Sequence, residues 1–174
     1  MNFQLNEALE ILERTPKTLE SFLSGLSVNW LECDEGEGTW SPSQVVDHLI
    51  ECERNNWLPR LKTIVEEGGN RVFPPFDREA HITNPSKTSF SHKLNEFKSL
   101  RLQNTEILSG MIISDTQFEL TGKHPVFGEV KLSELISTWV VHDLTHISQI
   151  VRVMSERYRE DVGPWEEYLG ILRK

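Results

Sequence analysis

Apolar residues recur every three to four positions along most of this chain, the period of an amphipathic helix, and polar turn-forming stretches separate the runs. Leu5, Ala8, Leu9 and Leu12 open the first run, which resumes through Leu19, Phe22, Leu23 and Leu26. Between them stand Thr15 and Pro16. A proline inside a helix removes a hydrogen bond and crowds the turn before it, so the pattern predicts a kink or a fresh helix start there. The second run has the sharpest beginning: Ser41 as N-cap, Pro42 in the first position and Gln44 in the third form a capping box, with Trp40 and Val45 placed as a hydrophobic staple. Its inner face carries Val45, His48, Leu49, Cys52 and Asn56, flanked by Val46, Ile50, Trp57 and Leu61. Gly68 and Gly69 are expected to end this helix, and Pro59 to bend it.

Residues 71–89 are rich in proline and polar side chains and read as a long connection, a kind of segment that often packs over something functional. A third run follows with Phe90, Leu94, Phe97, Arg101, Asn104 and Leu108 on one stripe, where the arginine and the asparagine need partners. The stretch from Asp115 to Val130 has the glycines and proline of a loop with at most a short hairpin. A last long helix is predicted from about Leu132 to Ser155, apolar over a wide arc, and a short terminal helix from Trp165 to Leu172 is expected to dock on the bundle. No internal repeat or low-complexity tract divides the chain, so one domain is expected.

Length and charge narrow the function classes. With 174 residues the chain buries enough surface for a core without disulfides. Its net charge of -9 argues against a nucleic-acid surface, which needs an excess of lysine and arginine. Cys33 and Cys52 are too few for a secreted disulfide framework and have no CxxC spacing. The chain shows neither a basic segment followed by an apolar run at its start nor a membrane-length apolar stretch. A soluble, cytoplasmic protein with no membrane or nucleic-acid partner is the expectation.

The chemistry concentrates in the last helix. Leu135, Trp139, His142, His146, Gln149 and Val153 share one stripe, so both histidines point where apolar residues point. Residues four apart on a helix lie about 6 Å apart along its axis and aim the same way. Burying two imidazoles demands partners, and two readings supply them: each ring is hydrogen-bonded in the core, or both bind one metal ion. His48, inward-facing on a separately capped helix, favours the metal, because facing helices of a bundle build metal sites between them. Three nitrogen ligands leave a coordination position open, as catalytic sites do. A zinc peptidase would carry glutamate directly after the first histidine of the pair; here Asp143 stands there, too short for that role. Asp143 is expected to face solvent or a loop, with a hydrogen bond to a ligand histidine as the other option.

Other candidates keep two readings each. His81 and His92 read as surface residues, whereas His124, in the turn-rich segment before the ligand helix, is placed to approach a metal or substrate. Cys52, one turn after His48, is either a further ligand or a buried thiol. Trp57, Arg60 and Arg101 are either pocket residues or core aromatics and buried ion pairs, and Gln149 sits on the histidine stripe as a pocket or supporting residue. Glycine-rich phosphate loops and the GxSxG elbow are absent.

Taken in order, these pieces resemble the DinB-like, YfiT-like superfamily of metal-dependent enzymes. The resemblance runs through Leu12 to Pro16, Thr39-Trp40-Ser41-Pro42 leading to His48-Leu49, His124-Pro125 with Phe127-Gly128-Glu129-Val130, His142 to Ile150, and Gly163-Pro164-Trp165 with Tyr168-Leu169. It implies an all-α four-helix bundle, often a homodimer, in which three histidines hold a divalent metal ion, commonly zinc or nickel. By position those are His48, His142 and His146. It further implies kinship with S-transferases that use bacillithiol, mycothiol or glutathione. Lys131 stands where such proteins often carry a capping threonine, so Ser133 is expected to cap the last helix. The reading that follows is an enzyme in which the metal activates a low-molecular-weight thiol, or water, against an electrophilic small molecule. The competing reading is a non-catalytic metal-binding or stress-related interaction protein, which a fourth protein ligand would favour.

Overall fold

The computed structural model describes residues 3–67, 69 and 71–173; Gly68, expected to help end the second run, lies outside the described residues. Four long helices correspond to the four long runs: α1 (Leu5–Leu23), α3 (Pro42–Asn55), α6 (Phe90–Met111) and α7 (Leu132–Glu156). Between them lie the short helices α2 (Val28–Leu31), α4 (Trp57–Lys62) and α5 (Ala80–Thr83), and an antiparallel hairpin of β1 (Thr121–His124) and β2 (Gly128–Lys131). The long helices form a four-helix bundle. Both α1 and α3 pack against α6 and α7, so α1 faces α3, and α6 faces α7, across the diagonals. No described helix is long and apolar enough to cross a membrane.

Local chemistry accounts for the boundaries. Ser41 caps α3 as the capping box requires: its Oγ accepts from the Gln44 amide at 3.3 Å, and Gln44 Oε1 accepts from the Ser41 amide at 2.9 Å. The second run breaks at Asn56, three residues before Pro59, and continues as α4 and a π-helical turn over Thr63–Glu67. A proline crowds the carbonyl four residues back, which here is that of Asn55, the last residue of α3.

Three expectations are corrected. The first run does not restart at Pro16: α1 passes through it without interruption, with Thr15 and Pro16 buried. The carbonyl that the missing Pro16 N–H leaves free belongs to Leu12, and it accepts a hydrogen bond of 2.9 Å from Arg101 Nη1 on α6. The proline thus opens a backbone acceptor to a buried guanidinium instead of ending the helix. Ser133 does not cap α7, since Glu134 Oε2 accepts from the Lys131 amide at 2.8 Å while the Ser133 hydroxyl is buried without a partner. The terminal segment forms two short 3₁₀ turns, Gly163–Tyr168 and Gly170–Leu172; Leu172 docks, whereas Trp165 and Tyr168 stay exposed.

The core is divided in two. One apolar cluster gathers Leu12, Cys52, Leu108 and Trp139; the other gathers Leu19, Leu49, Phe97 and Ile150. Each long helix contributes to both clusters and carries polar residues at the level between them: Thr15 on α1, Glu53 on α3, Arg101 and Asn104 on α6, and Asp143 on α7. This buried polar layer adjoins the histidines.

Candidate metal centre

His48 enters from α3, and His142 and His146 from successive turns of α7. Their ring nitrogens converge: His142 Nε2 lies 3.2 Å from His48 Nε2 and 3.2 Å from His146 Nε2. Among the described residues, these three form the group whose ligand atoms lie within 4.8 Å of one another. Gln149 Oε1 accepts from His146 Nδ1 at 2.8 Å, which places the proton on Nδ1 and turns the Nε2 lone pair toward the cluster.

All three rings are held neutral. Burial, then the neighbouring His146 and His81, pushes His48 down to about 3; burial, then His146 and His48, pushes His142 down to about 2. Burial lowers His146 as well, against the opposing pull of Gln149 and Asp143. Neutral imidazoles are the form that binds metal ions.

The protein alone does not satisfy these nitrogens. His142 Nδ1 is buried with no hydrogen-bond partner, the Arg78 backbone carbonyl favours a proton on the His48 ring, and a proton on His142 Nε2 would serve only one of its two neighbours well. A cation accepting three Nε2 lone pairs resolves the convergence. Two nitrogens each about 2.0–2.1 Å from a zinc ion at the tetrahedral angle stand about 3.3 Å apart, close to the spacing found here. The residues therefore fit a divalent metal ion.

Aromatic rings wall the cluster. Trp40 lies 4.9 Å from His48 and stacks at 6.2 Å on His146, Trp57 meets His142 edge-on at 5.1 Å, and Phe76 lies 6.3 Å from His48 (all between ring centroids). Cys52 Sγ sits 3.4 Å from His48 Nε2 and 3.8 Å from His142 Nε2, and burial pushes its thiol up, away from the thiolate that would bind a metal. His124 turns back on its own hairpin: its Nδ1 accepts from the amides of Val126 and Phe127, and its ring stacks on Phe127.

Asp143 requires a correction, because it is fully buried and faces neither solvent nor a loop. Arg101 Nη2 donates to its Oδ1 at 2.9 Å and to Glu53 Oε1 at 2.8 Å, and Arg101 Nη1 binds the second Asp143 oxygen. Asn104 Nδ2 and Trp139 Nε1 donate to Glu53 at 3.0 and 3.1 Å. Arg101 is thus a buried ion-pair residue that ties α6 to α3 and α7, the two helices bearing the histidines. His81 is the second correction: it is 3% exposed and packs edge-on against Trp40, with a 4.3 Å centroid separation. No periodic signal marks it, because it sits on the one-turn α5 inside the proline-rich connection; His92 is exposed as expected.

A four-helix bundle with three inward histidines converging between two of its helices defines a class of metal-binding domain. The chain belongs to the DinB superfamily, whose sequence profile matches residues 11–150. A protein of Oceanobacillus iheyensis, named as a candidate metal-dependent hydrolase, is 25% identical over 157 residues, 90% of this chain and 89% of the relative. The solved structure of YfiT from Bacillus subtilis, described as a probable metal-dependent hydrolase with an unusual four-helix bundle topology, superposes with a TM-score of 0.76. It is 25% identical, and the match covers 88% of this chain and 87% of YfiT. The four-helix bundle protein TT2238 shares the fold alone, with a TM-score of 0.50 and 22% identity over 83% of this chain and 95% of its own.

Proposed function

We propose that this protein is a metal-dependent enzyme that activates a small nucleophile, water or a low-molecular-weight thiol, for attack on an electrophilic small molecule. The observation that carries this reading is the meeting of three neutral ring nitrogens, His142 Nε2 standing 3.2 Å from each of the other two, with no fourth residue in their group among the described residues and the neighbouring Cys52 kept as a thiol by burial. His48, His142 and His146 hold the ion, for which zinc or nickel suits the all-imidazole donor set. A divalent cation there supplies Lewis acidity and makes a coordinated nucleophile more acidic.

The remaining residues prepare the place. Gln149 fixes the tautomer of His146, and the Arg101–Asp143 pair anchors the turn of α7 between the two α7 histidines. Trp40, Trp57 and Phe76 exclude water from the cluster's flanks, which strengthens electrostatic effects inside. A cleft of about 340 Å³ between Asn55 and Pro59 on one side and Pro74 to Asp77 on the other adjoins Phe76 and offers room for a small substrate. The naming of relatives as metal-dependent hydrolases supports water as the nucleophile, and the kinship with S-transferases implied by the motifs supports a thiol.

Elemental analysis of the purified chain beside a His48→Ala, His142→Ala double variant tests the site: about one metal ion per chain in the first and almost none in the second is expected, and equal content in both would sink it. Turnover assays on activated esters and on thiol-reactive aromatic halides, with and without added glutathione or bacillithiol, then separate the two nucleophiles. Absence of metal-dependent turnover in every arm would leave the ion a non-catalytic role.

A further inference from the structure

The fold brings Arg60 and His124, which take no part in the histidine cluster, to one ring. Arg60 Cζ stands over Phe73 at 5.5 Å from the ring centroid, and the His124 ring meets Phe73 edge-on at 6.1 Å. The three come from separate segments: Arg60 from α4, Phe73 from the 71–89 connection and His124 from β1. The connection is tied to β1 where the Phe73 amide donates to the Lys123 carbonyl at 2.9 Å.

Neither basic group has a counter-ion. Arg60 is half-buried, its Nε is buried without a hydrogen-bond partner, and no ion pair among the described residues includes it. Burial lowers its pKa, and the group that opposes this is Cys52, itself kept as a thiol by burial. Contact with Phe73 accounts for the flat side of the guanidinium, whereas its N–H donors lie in its plane and stay without an acceptor. On His124, Nδ1 accepts from the Val126 and Phe127 amides at 3.1 and 3.2 Å, which leaves the proton on Nε2, where no described group accepts it. Burial, then Arg60, lowers the His124 pKa, so a neutral ring stands beside the cation. The corner carries one positive charge and one neutral donor, and no carboxylate is among the groups whose charge shifts either of them.

We propose that Arg60 and His124 form an anion-binding corner on Phe73 that takes the carboxylate of a small organic acid. A planar guanidinium binds a carboxylate through two parallel N–H donors, and an imidazole N–H beside it adds a third. A single positive charge matches a monoanion better than a phosphate dianion. The corner stands near the metal centre, since the charge of Arg60 reaches Cys52, whose Sγ lies 3.4 Å from His48 Nε2. It is a second site, separate from the ion, and it would hold the substrate by a group remote from the reacting one. That use rests on the enzyme reading above; the binding of the carboxylate does not.

The test is a calorimetric titration of the full chain with benzoate and, in a parallel arm, inorganic phosphate. Arg60→Met is expected to bind benzoate about tenfold more weakly than the parent, the scale of one hydrogen bond to a charged group. Arg60→Lys, which keeps the charge and loses the paired donors, is expected to fall between the two. His124→Asn, whose Oδ1 can still accept from the hairpin amides while the Nε2 donor is gone, is expected to weaken binding about threefold. The His48→Ala, His142→Ala variant is expected to lose its metal and keep its benzoate affinity. Unchanged affinity in Arg60→Met, no measurable binding by the parent, or preference for phosphate would each overturn the proposal. Loss of benzoate binding in the double-histidine variant would overturn it as well, by assigning the anion to the ion. If that variant keeps its metal, the metal reading fails, and the Arg60 variants still decide the corner.

Discussion

At the residue scale, Arg101 on α6 bonds to each of the other three long helices. It is fully buried, answers two carboxylates on two helices, and takes the carbonyl that Pro16 frees on a third. Removing one partner of a buried ion pair leaves the other charges uncompensated, which typically costs about 3–5 kcal/mol. Arg101→Met is expected to lose stability on that scale, read as a lowered midpoint in urea denaturation. The loss should depend on pH with a definite sign. Burial already raises the Glu53 pKa and Arg101 opposes it, so deleting Arg101 raises it further. The folded variant then binds a proton more tightly than the unfolded chain, so its stability falls as pH rises through the ordinary carboxylate range, and the deficit against the parent should be smaller at pH 5 than at pH 8. A pH-independent deficit would point to lost packing instead. The sequence does not show the partners of Arg101, where the residue is only a charge on a core stripe, and it points Asp143, directly after His142, outward, because helical spacing alone does not say how wide the buried arc of α7 is.

At the element scale, helix starts written in local chemistry were legible and helix interiors under tertiary control were not. Ser41, Pro42 and Gln44 announce α3 because the capping bonds are made within four residues. Ser41→Ala is expected to cost about 1 kcal/mol in thermal or urea unfolding. Pro16 misleads in the opposite way, since the acceptor it exposes, the Leu12 carbonyl, is used by a residue 89 positions away on another helix, a fact no local rule contains. The hairpin before α7 shows a third case. A Cβ on Gly122 would lie 2.4 Å from Phe73 Cε1 and 2.8 Å from Ile64 Cγ1, so the glycine is required by close approach, not by its backbone angles. Gly122→Ala is therefore expected to push β1 off Phe73 and destabilise the fold by about 1–3 kcal/mol, the cost of overpacking, measurable as a lowered melting temperature.

At the scale of the whole molecule, the bundle consists of two apolar halves around a polar layer, and the histidine cluster lies at the same level of α7 as that layer. A metal ion that binds the folded chain and not the unfolded one stabilises it by about 2.7 kcal/mol at a hundredfold excess over its Kd. For a chain of this size that corresponds to a melting temperature higher by roughly 5–10 °C. Chelation is expected to lower the melting temperature of the parent by that amount and to leave the His48→Ala, His142→Ala variant unmoved; equal shifts in both would mean the ion acts elsewhere.

Taken alone, the sequence determined what depends on neighbours a few residues apart: the number of long helices, the capped start of α3, and the sharing of one α7 face by His142, His146 and Gln149, since helical periodicity is a local property. Tertiary structure decided everything that pairs distant segments. It chose which carboxylates meet Arg101, carried α1 unbroken through Pro16, and folded the 71–89 connection so that His81 lies buried against Trp40 beside the centre. The physical reason is the same each time. A buried polar group needs a partner, and its partner is selected by the packing of helices whose sequence separation leaves no periodic trace.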